Sequence, residues 1–246
     1  MKRVVIIGPG RIGCGYLTPL FQSAGWDVVL ACPSELITER IRASRRYAVR
    51  VTAPPASNAN GSAPRGGATS FLVRPPPAVT IGTTGFVAAV ARADLVCTSV
   101  GVERVPSLAD PLALALTARC SRGPIDVWTV ENGDCAPQLE RAIRELVRPT
   151  RRTLPPVGFG GAIADVAVAH GSWRTTDGSP EFVSDSFRTL CVDRQRLLNG
   201  VPELPGVRGT SEFVGHLHEK LYVFNAGHAI CAYLGWLRRH ETIADA

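Results

Sequence analysis

A chain of 246 residues that is 45% apolar can bury a substantial core, which excludes a disordered or fibrous protein and fits one large domain or two modest ones. The net charge of +6 comes from dispersed arginines with no basic tract or aromatic platform, so it points to an anionic small molecule and not to nucleic acid. Seven cysteines without a Cys-x-x-Cys pair, no secretory leader and an apolar run of only Val4 to Ile7 before the first glycines predict a cytoplasmic protein with reduced thiols, no membrane span and no metal site.

Arg3 to Ile7 predicts a strand that ends in Gly8-Pro-Gly10-Arg11-Ile12-Gly13, and an amphipathic helix runs on to about Ala24. Asp27 to Ala31 predicts a second strand, followed by a helix from about Ser34 to Arg45. From Thr52 to Pro77 the Ala/Pro/Ser/Asn/Gly-rich text predicts a flexible surface excursion. Alternation resumes with a helix near Gly85 to Arg92, a strand at Asp94 to Ser99, a helix near Ser107 to Arg119, a strand at Ile125 to Val130 and a helix at Ala136 to Val147. Short strands are expected around Ala164 to Ala169 and Glu181 to Ser184. A Pro/Gly-rich stretch, Asn199 to Gly206, then precedes a helical tail from Thr210 to about Arg239. The fold class is therefore α/β: a Rossmann-type doubly wound sheet over residues 1–185, then the start of a helical substrate domain over 186–246.

A Gly-x-Gly-x-x-Gly turn placed after a first strand and opening a helix is the context a dinucleotide site requires. The first glycine permits the tight turn, the second lets pyrophosphate approach the backbone, and the third lets helix and strand pack closely. Gly8, Gly10, Arg11, Ile12 and Gly13 are accordingly the candidate cofactor contacts; the alternative is an ordinary strand-to-helix turn. The acid that would hold the ribose hydroxyls is missing, because Ala31-Cys32-Pro33-Ser34 occupies its place. By position Cys32 and Ser34 are counted among the candidate cofactor-site residues, the alternative for Cys32 being a small buried thiol; Cys32 cannot act as that acceptor, and Arg11 and Ser34 are suited to a 2′-phosphate, so NAD and NADP both stay open.

Lys220 is one of two lysines in the chain, the other being Lys2, while every remaining basic residue is Arg. An interior amine kept among guanidiniums suggests a need for a group that can lose its proton. At about 100° per residue, Lys220, Asn225 and His228 point to about 0°, 140° and 80°, one broad helical face. A neutral Lys can take an alcohol proton, while Asn and His donate to the oxygen as its charge develops. The alternative is an exposed Lys, a capping Asn and a packed His.

The stretch from Lys220 through Asn225-Ala-Gly-His228 to Gly235 and on to His240 resembles the polyol-specific long-chain dehydrogenase (mannitol dehydrogenase) family. Supporting matches are Gly8 to Gly15, Asp94 to Gly101, Glu131-Asn132, Val157-Gly-Phe159 and Val201 to Gly206, so the resemblance covers essentially the whole chain. It implies reversible, metal-independent hydride transfer between a nicotinamide and a sugar or polyol phosphate of the fructose 6-phosphate and mannitol 1-phosphate type. By the resemblance Lys220 is the general base, Asn132 and Asn225 stabilise the oxyanion, His228 orients substrate, and Ser99 and Val100 extend the nucleotide site. Departures from the family pattern are Cys32, Ala164-Asp165-Val166 without the expected Arg, Gly133 in place of Met, a longer Thr52–Pro77 excursion and a shorter helical domain. They keep two alternatives open: a nucleotide-binding protein without turnover, and a dehydrogenase of another, cyclic polyol phosphate. An incomplete helical domain would also expose apolar surface on Ala226–Leu237 and favour oligomers.

Overall fold

The computed structural model describes residues 1–52, 68–119, 123–150, 152–174, 180–186 and 188–243. Strand β1 (Arg3–Ile7) leads through the glycine turn into a π-helical turn (Gly13–Leu17) and helix α1 (Thr18–Ser23). Next come β2 (Asp27–Cys32), α2 (Glu35–Ala43), β3 (Tyr47–Thr52), β4 (Ala68–Val73), β5 (Ala78–Thr80), α3 (Thr84–Ala91) and β6 (Leu95–Thr98). A 3-10 segment (Val102–Leu108) opens α4 (Ala109–Thr117), and β7 (Ile125–Val130), α5 (Ala136–Val147) and β8 (Val157–Asp165) follow. The remainder is β9 (Val168–His170), β10 (Glu181–Asp185), β11 (Thr189–Asp193), β12 (Val207–Thr210), α6 (Phe213–Glu219), a second π turn (Lys220–Asn225) and α7 (Ala226–Leu237).

Eight strands form one sheet in the order β12-β11-β8-β7-β6-β1-β2-β5, parallel except where β11 runs against β8. The direction of winding reverses between β1 and β6, the crevice at which open α/β sheets bind ligands. The β-branched run of β1 explains why this strand is central. Val5 and Ile7 face the core under α3, α4 and α5, and Val4 and Ile6 face the opposite core, so both faces are covered. The second core is completed by Tyr16, Leu17 and Phe21 of the glycine helix and by Tyr47 and Phe182. These two aromatics belong to a smaller sheet, β4-β3-β10-β9.

The doubly wound sheet and the helical tail match the sequence reading, and β7 and α5 coincide with their expected limits. Five strands were not anticipated, β3, β4, β5, β11 and β12, and β8 already begins at Val157 where a short strand was expected only from about Ala164. β3 pairs with β4 from Tyr47↔Val73 to Thr52↔Ala68, so part of the expected excursion is a paired strand, while 53–67 lie outside the described residues. β11 and β12 extend the large sheet through Thr210, so the expected division at residue 185 falls between β10 of the small sheet and β11 of the large one. Helix α6 then docks on β8 and β11 through Phe213 and Leu217 against Ile163 and Cys191. Beyond it, α7 presents Tyr233, Leu234, Trp236 and Leu237, each more than half exposed. Among the described residues no helix is long and apolar enough to cross a membrane.

Candidate active site

The glycine turn is shaped by close approach. Gly8 has φ +107°, a backbone conformation that strains any residue with a Cβ, and a Cβ there would lie 2.4 Å from the Ser99 carbonyl oxygen. At Gly13 an added Cβ would lie 2.0 Å from the Gly8 carbonyl oxygen, so the helix can begin against the turn only without a side chain. Gly10 is different: among the described residues, nothing beyond its chain neighbours comes within 4 Å of a Cβ placed there. The helix starts at once, with the Cys14 N–H donating to the Gly10 carbonyl at 2.9 Å. A cradle that is tight at its first and third glycines and open at its second is what a pyrophosphate at a helix N-terminus needs.

The turn is tied to its neighbouring strand ends. The Gly8 N–H donates to Ala31 at 3.0 Å, the Ser99 N–H to Ile7 at 2.8 Å and the Ser99 hydroxyl to Gly8 at 3.1 Å. Gly8, Ser99 and Val100 therefore form one contiguous rim at the carboxyl ends of β1 and β6. Arg11 is exposed and donates to the Ala169 carbonyl at 3.3 Å, reaching toward β9. Ile12 packs on the core beside the helix.

At the end of β2 the structure redirects attention from Cys32. Its side chain is fully buried in the core, and burial pushes its thiol up to about 11, so it is inert packing and offers the cradle no surface. The polar groups that reach solvent here are Ser34 and Glu35. Glu35 accepts a hydrogen bond from the Thr80 hydroxyl and pairs with Arg42 at 3.3 Å, and Thr80 in turn contacts the Thr38 hydroxyl at 2.7 Å. Glu35, three residues beyond Cys32, is thus an exposed carboxylate near the end of β2. The signal for it was the first acidic residue after the strand.

Lys220 sits at the same sheet edge as the cradle, since β8 runs parallel to β7 and its carboxyl end carries Ala164 and Asp165. Its Nζ donates to the Ala164 carbonyl at 2.6 Å. Burial holds its pKa below the usual lysine value, and the nearby Asp165 carboxylate opposes that shift. Asp165 itself accepts from the Thr189 hydroxyl at 3.3 Å. The amine is placed by α6: a Cβ at Gly161 would lie 2.2 Å from the Phe213 ring, so the glycine lets the aromatic approach β8 closely and seats the helix that leads to Lys220.

The second π turn changes the expected phases. In an i→i+5 turn, residues five apart stack nearly one above the other, so Lys220 and Asn225 align more closely than α-helical spacing implies. His228 follows three residues on along α7. Both π turns among the described residues lie at candidate site segments, one in the helix opened by the glycine turn and one carrying Lys220. Asn225 and His228 are exposed, and Asn132 is exposed two residues beyond β7 at the same strand edge. None of the three makes a side-chain hydrogen bond among the described residues, so the structure leaves them exposed and does not bring their side chains into contact. No cluster of metal-ligating side chains occurs among the described residues.

Sheet order, crevice and glycine cradle define the class, a dinucleotide-type Rossmann domain carrying a helical extension. Solved structures agree on the fold. Octopine dehydrogenase solved with NADH and L-arginine aligns over 93% of this chain and 53% of its own at TM-score 0.55 and 13% identity. The same enzyme with NADH and pyruvate aligns over 88% and 52% at TM-score 0.52 and 13% identity. This chain thus spans about half the length of those proteins. The sequence model of the mannitol dehydrogenase Rossmann domain matches residues 2–206, and the chain belongs to the mannitol dehydrogenase family.

Proposed function

We propose that the chain is an NAD(P)-dependent dehydrogenase that interconverts a sugar phosphate and a polyol phosphate, of the fructose 6-phosphate and mannitol 1-phosphate type, with Lys220 as general base and no metal in the proton step. The observation that carries this reading is an amine of lowered pKa at the same sheet edge as an open glycine cradle. The cradle suits the cofactor, because Gly10 leaves space where a pyrophosphate must approach the backbone. A bound nicotinamide supplies the hydride acceptor. Lys220, as the free amine, takes the hydroxyl proton of the alcohol, and as the ammonium returns it in the reverse direction. Asn132 and Asn225 donate to the substrate oxygen as negative charge gathers on it, and His228 orients the substrate. The arginine surplus suits a phosphorylated substrate. NADH in the octopine dehydrogenase structures supports a nicotinamide cofactor, and Glu35 supports NAD(H) over NADP(H), since a 2′-phosphate would meet a carboxylate there.

The test is a titration with NADH and NADPH, then cofactor oxidation in the presence of fructose 6-phosphate, with wild type and Lys220→Ala in parallel. Nucleotide binding in both proteins and oxidation in wild type alone support the reading. A second reading, nucleotide binding without turnover, is favoured by the exposure of Asn225 and His228. Binding without oxidation by any hexose phosphate selects it.

A further inference from the structure

Glu131 follows β7 directly and is 7% exposed. Its Oε1 accepts from the Thr98 hydroxyl at 2.9 Å and the Val100 N–H at 2.8 Å, and its Oε2 accepts from the Gly101 N–H at 2.9 Å. Every one of these neighbours donates, which suits an ionised carboxylate. Burial raises its pKa above the ordinary carboxylate value, and the three hydrogen bonds offset that only in part. Through Val100 and Gly101 the carboxylate holds the loop after β6. That loop includes Ser99, whose N–H and hydroxyl grip Ile7 and Gly8. One buried anion therefore ties together the ends of β7, β6 and β1.

The winding reverses between β1 and β6, so the two halves of a bound dinucleotide divide there, with the adenosine half over β1 and β2 and the nicotinamide half over β6 and β7. Glu131 lies at the carboxyl ends of the latter pair. The geometry points to Glu131 as a positioning residue that biases the site toward the oxidised cofactor. The nicotinamide ring is cationic when oxidised and neutral when reduced, so a fixed buried carboxylate at this edge attracts only the oxidised ring. This inference rests on the proposed reading that the cradle takes a nicotinamide dinucleotide. It adds a role that neither the family match nor the Lys220 cluster implies. Its sequence signal was an acid at a strand end, next to Asn132.

Equilibrium titration tests it, with dissociation constants for NAD+ and NADH measured on wild type, Glu131→Gln and Glu131→Asp. A unit charge about 10 Å away, at an effective dielectric of about 20, is worth on the order of tenfold in binding. Glu131→Gln is expected to raise the ratio of the oxidised to the reduced constant by about tenfold. Glu131→Asp is expected to keep that ratio within about twofold, even where both affinities fall. A purely structural role moves both constants together, so a Gln variant that keeps the wild-type ratio, or loses both forms alike, overturns the inference. Wild type that binds neither form overturns the reading beneath it as well, and so separates the two failures.

Discussion

Replacing Gly10 and Gly13 separately by alanine distinguishes a ligand-shaped glycine from a packing glycine within one turn. At Gly10 no atom of the described residues beyond its chain neighbours lies within 4 Å of the added Cβ, and its φ is not positive, so Ala fits the free protein. Loss of unfolded-chain freedom then stabilises Gly10→Ala by about 0.4–1 kcal/mol. The same methyl occupies space a pyrophosphate would use. Losing one or two charge-assisted hydrogen bonds, each about 1.5–3 kcal/mol, weakens nucleotide binding by about 10- to 100-fold or more. At Gly13 the Cβ would lie 2.0 Å from the Gly8 carbonyl oxygen, against about 3.3 Å for a close C···O contact, so helix and turn must separate by more than an ångström. Overpacking of that kind costs about 1–3 kcal/mol, and Gly13→Ala loses both stability and nucleotide. Urea unfolding and NADH titration on the two variants read both quantities. Wild-type NADH affinity in Gly10→Ala, or destabilisation of Gly10→Ala equal to that of Gly13→Ala, refutes the assignment of the cradle.

Lys220→Ala is expected to lower polyol oxidation by about 10²- to 10⁴-fold while leaving the NADH dissociation constant within about twofold, as steady-state rates and titration will show. Oxidation needs the free amine, so its rate rises with pH through a Lys220 pKa that burial holds below the ordinary lysine value, and falls away as pH drops below it. Asp165→Asn removes the charge that favours the ammonium and moves that rise to lower pH, which a pH–rate profile detects. Glu35→Ala is expected to improve NADPH binding relative to NADH, read as the ratio of the two dissociation constants. Phe213→Ala, which unseats α6 from Gly161, costs about 3–5 kcal/mol of stability by urea unfolding. Of the six described cysteines only Cys231 is exposed, so thiol titration of the native protein modifies it ahead of Cys14, Cys32, Cys97, Cys135 and Cys191.

The parts of the fold that were legible carried their own periodicity. β7 is a β-rich apolar run, buried throughout, and α5 is amphipathic with Leu139, Ile143 and Val147 on its buried side, so both could be bounded from the sequence. β11 and β12 were not, because Thr189–Asp193 and Val207–Thr210 are short and earn strand status only from partners: β11 from Ile163 and Ala164 of β8, and β12 from β11. β3 was lost beside the Pro/Gly-rich text that follows it, although its partner strands lie at 68–73 and 181–185. Within the site, the glycine turn was readable because its constraint is local. The π turn at Lys220 was not, since α-helical phases assume i→i+4 bonding throughout. Cys32 was placed at the cofactor by position along the strand, whereas its side chain points into the core, a choice the pleat makes and not the residue type. Glu131 escaped notice as a functional group because its partners lie 30 and more residues away.

In the proposed reaction the glycine cradle and Lys220 act on one bound substrate. Deuterium transfer tests it directly: the protein is mixed with NADH labelled at the transferable C4 position and fructose 6-phosphate, and the product is read by mass spectrometry. The expected result is a hexitol phosphate carrying one deuterium in wild type, with transfer reduced by at least about 10²-fold in Lys220→Ala at unchanged NADH occupancy. Labelled NADH that binds wild type yet passes no deuterium to any hexose phosphate, or transfer that persists undiminished without the Lys220 amine, contradicts the account.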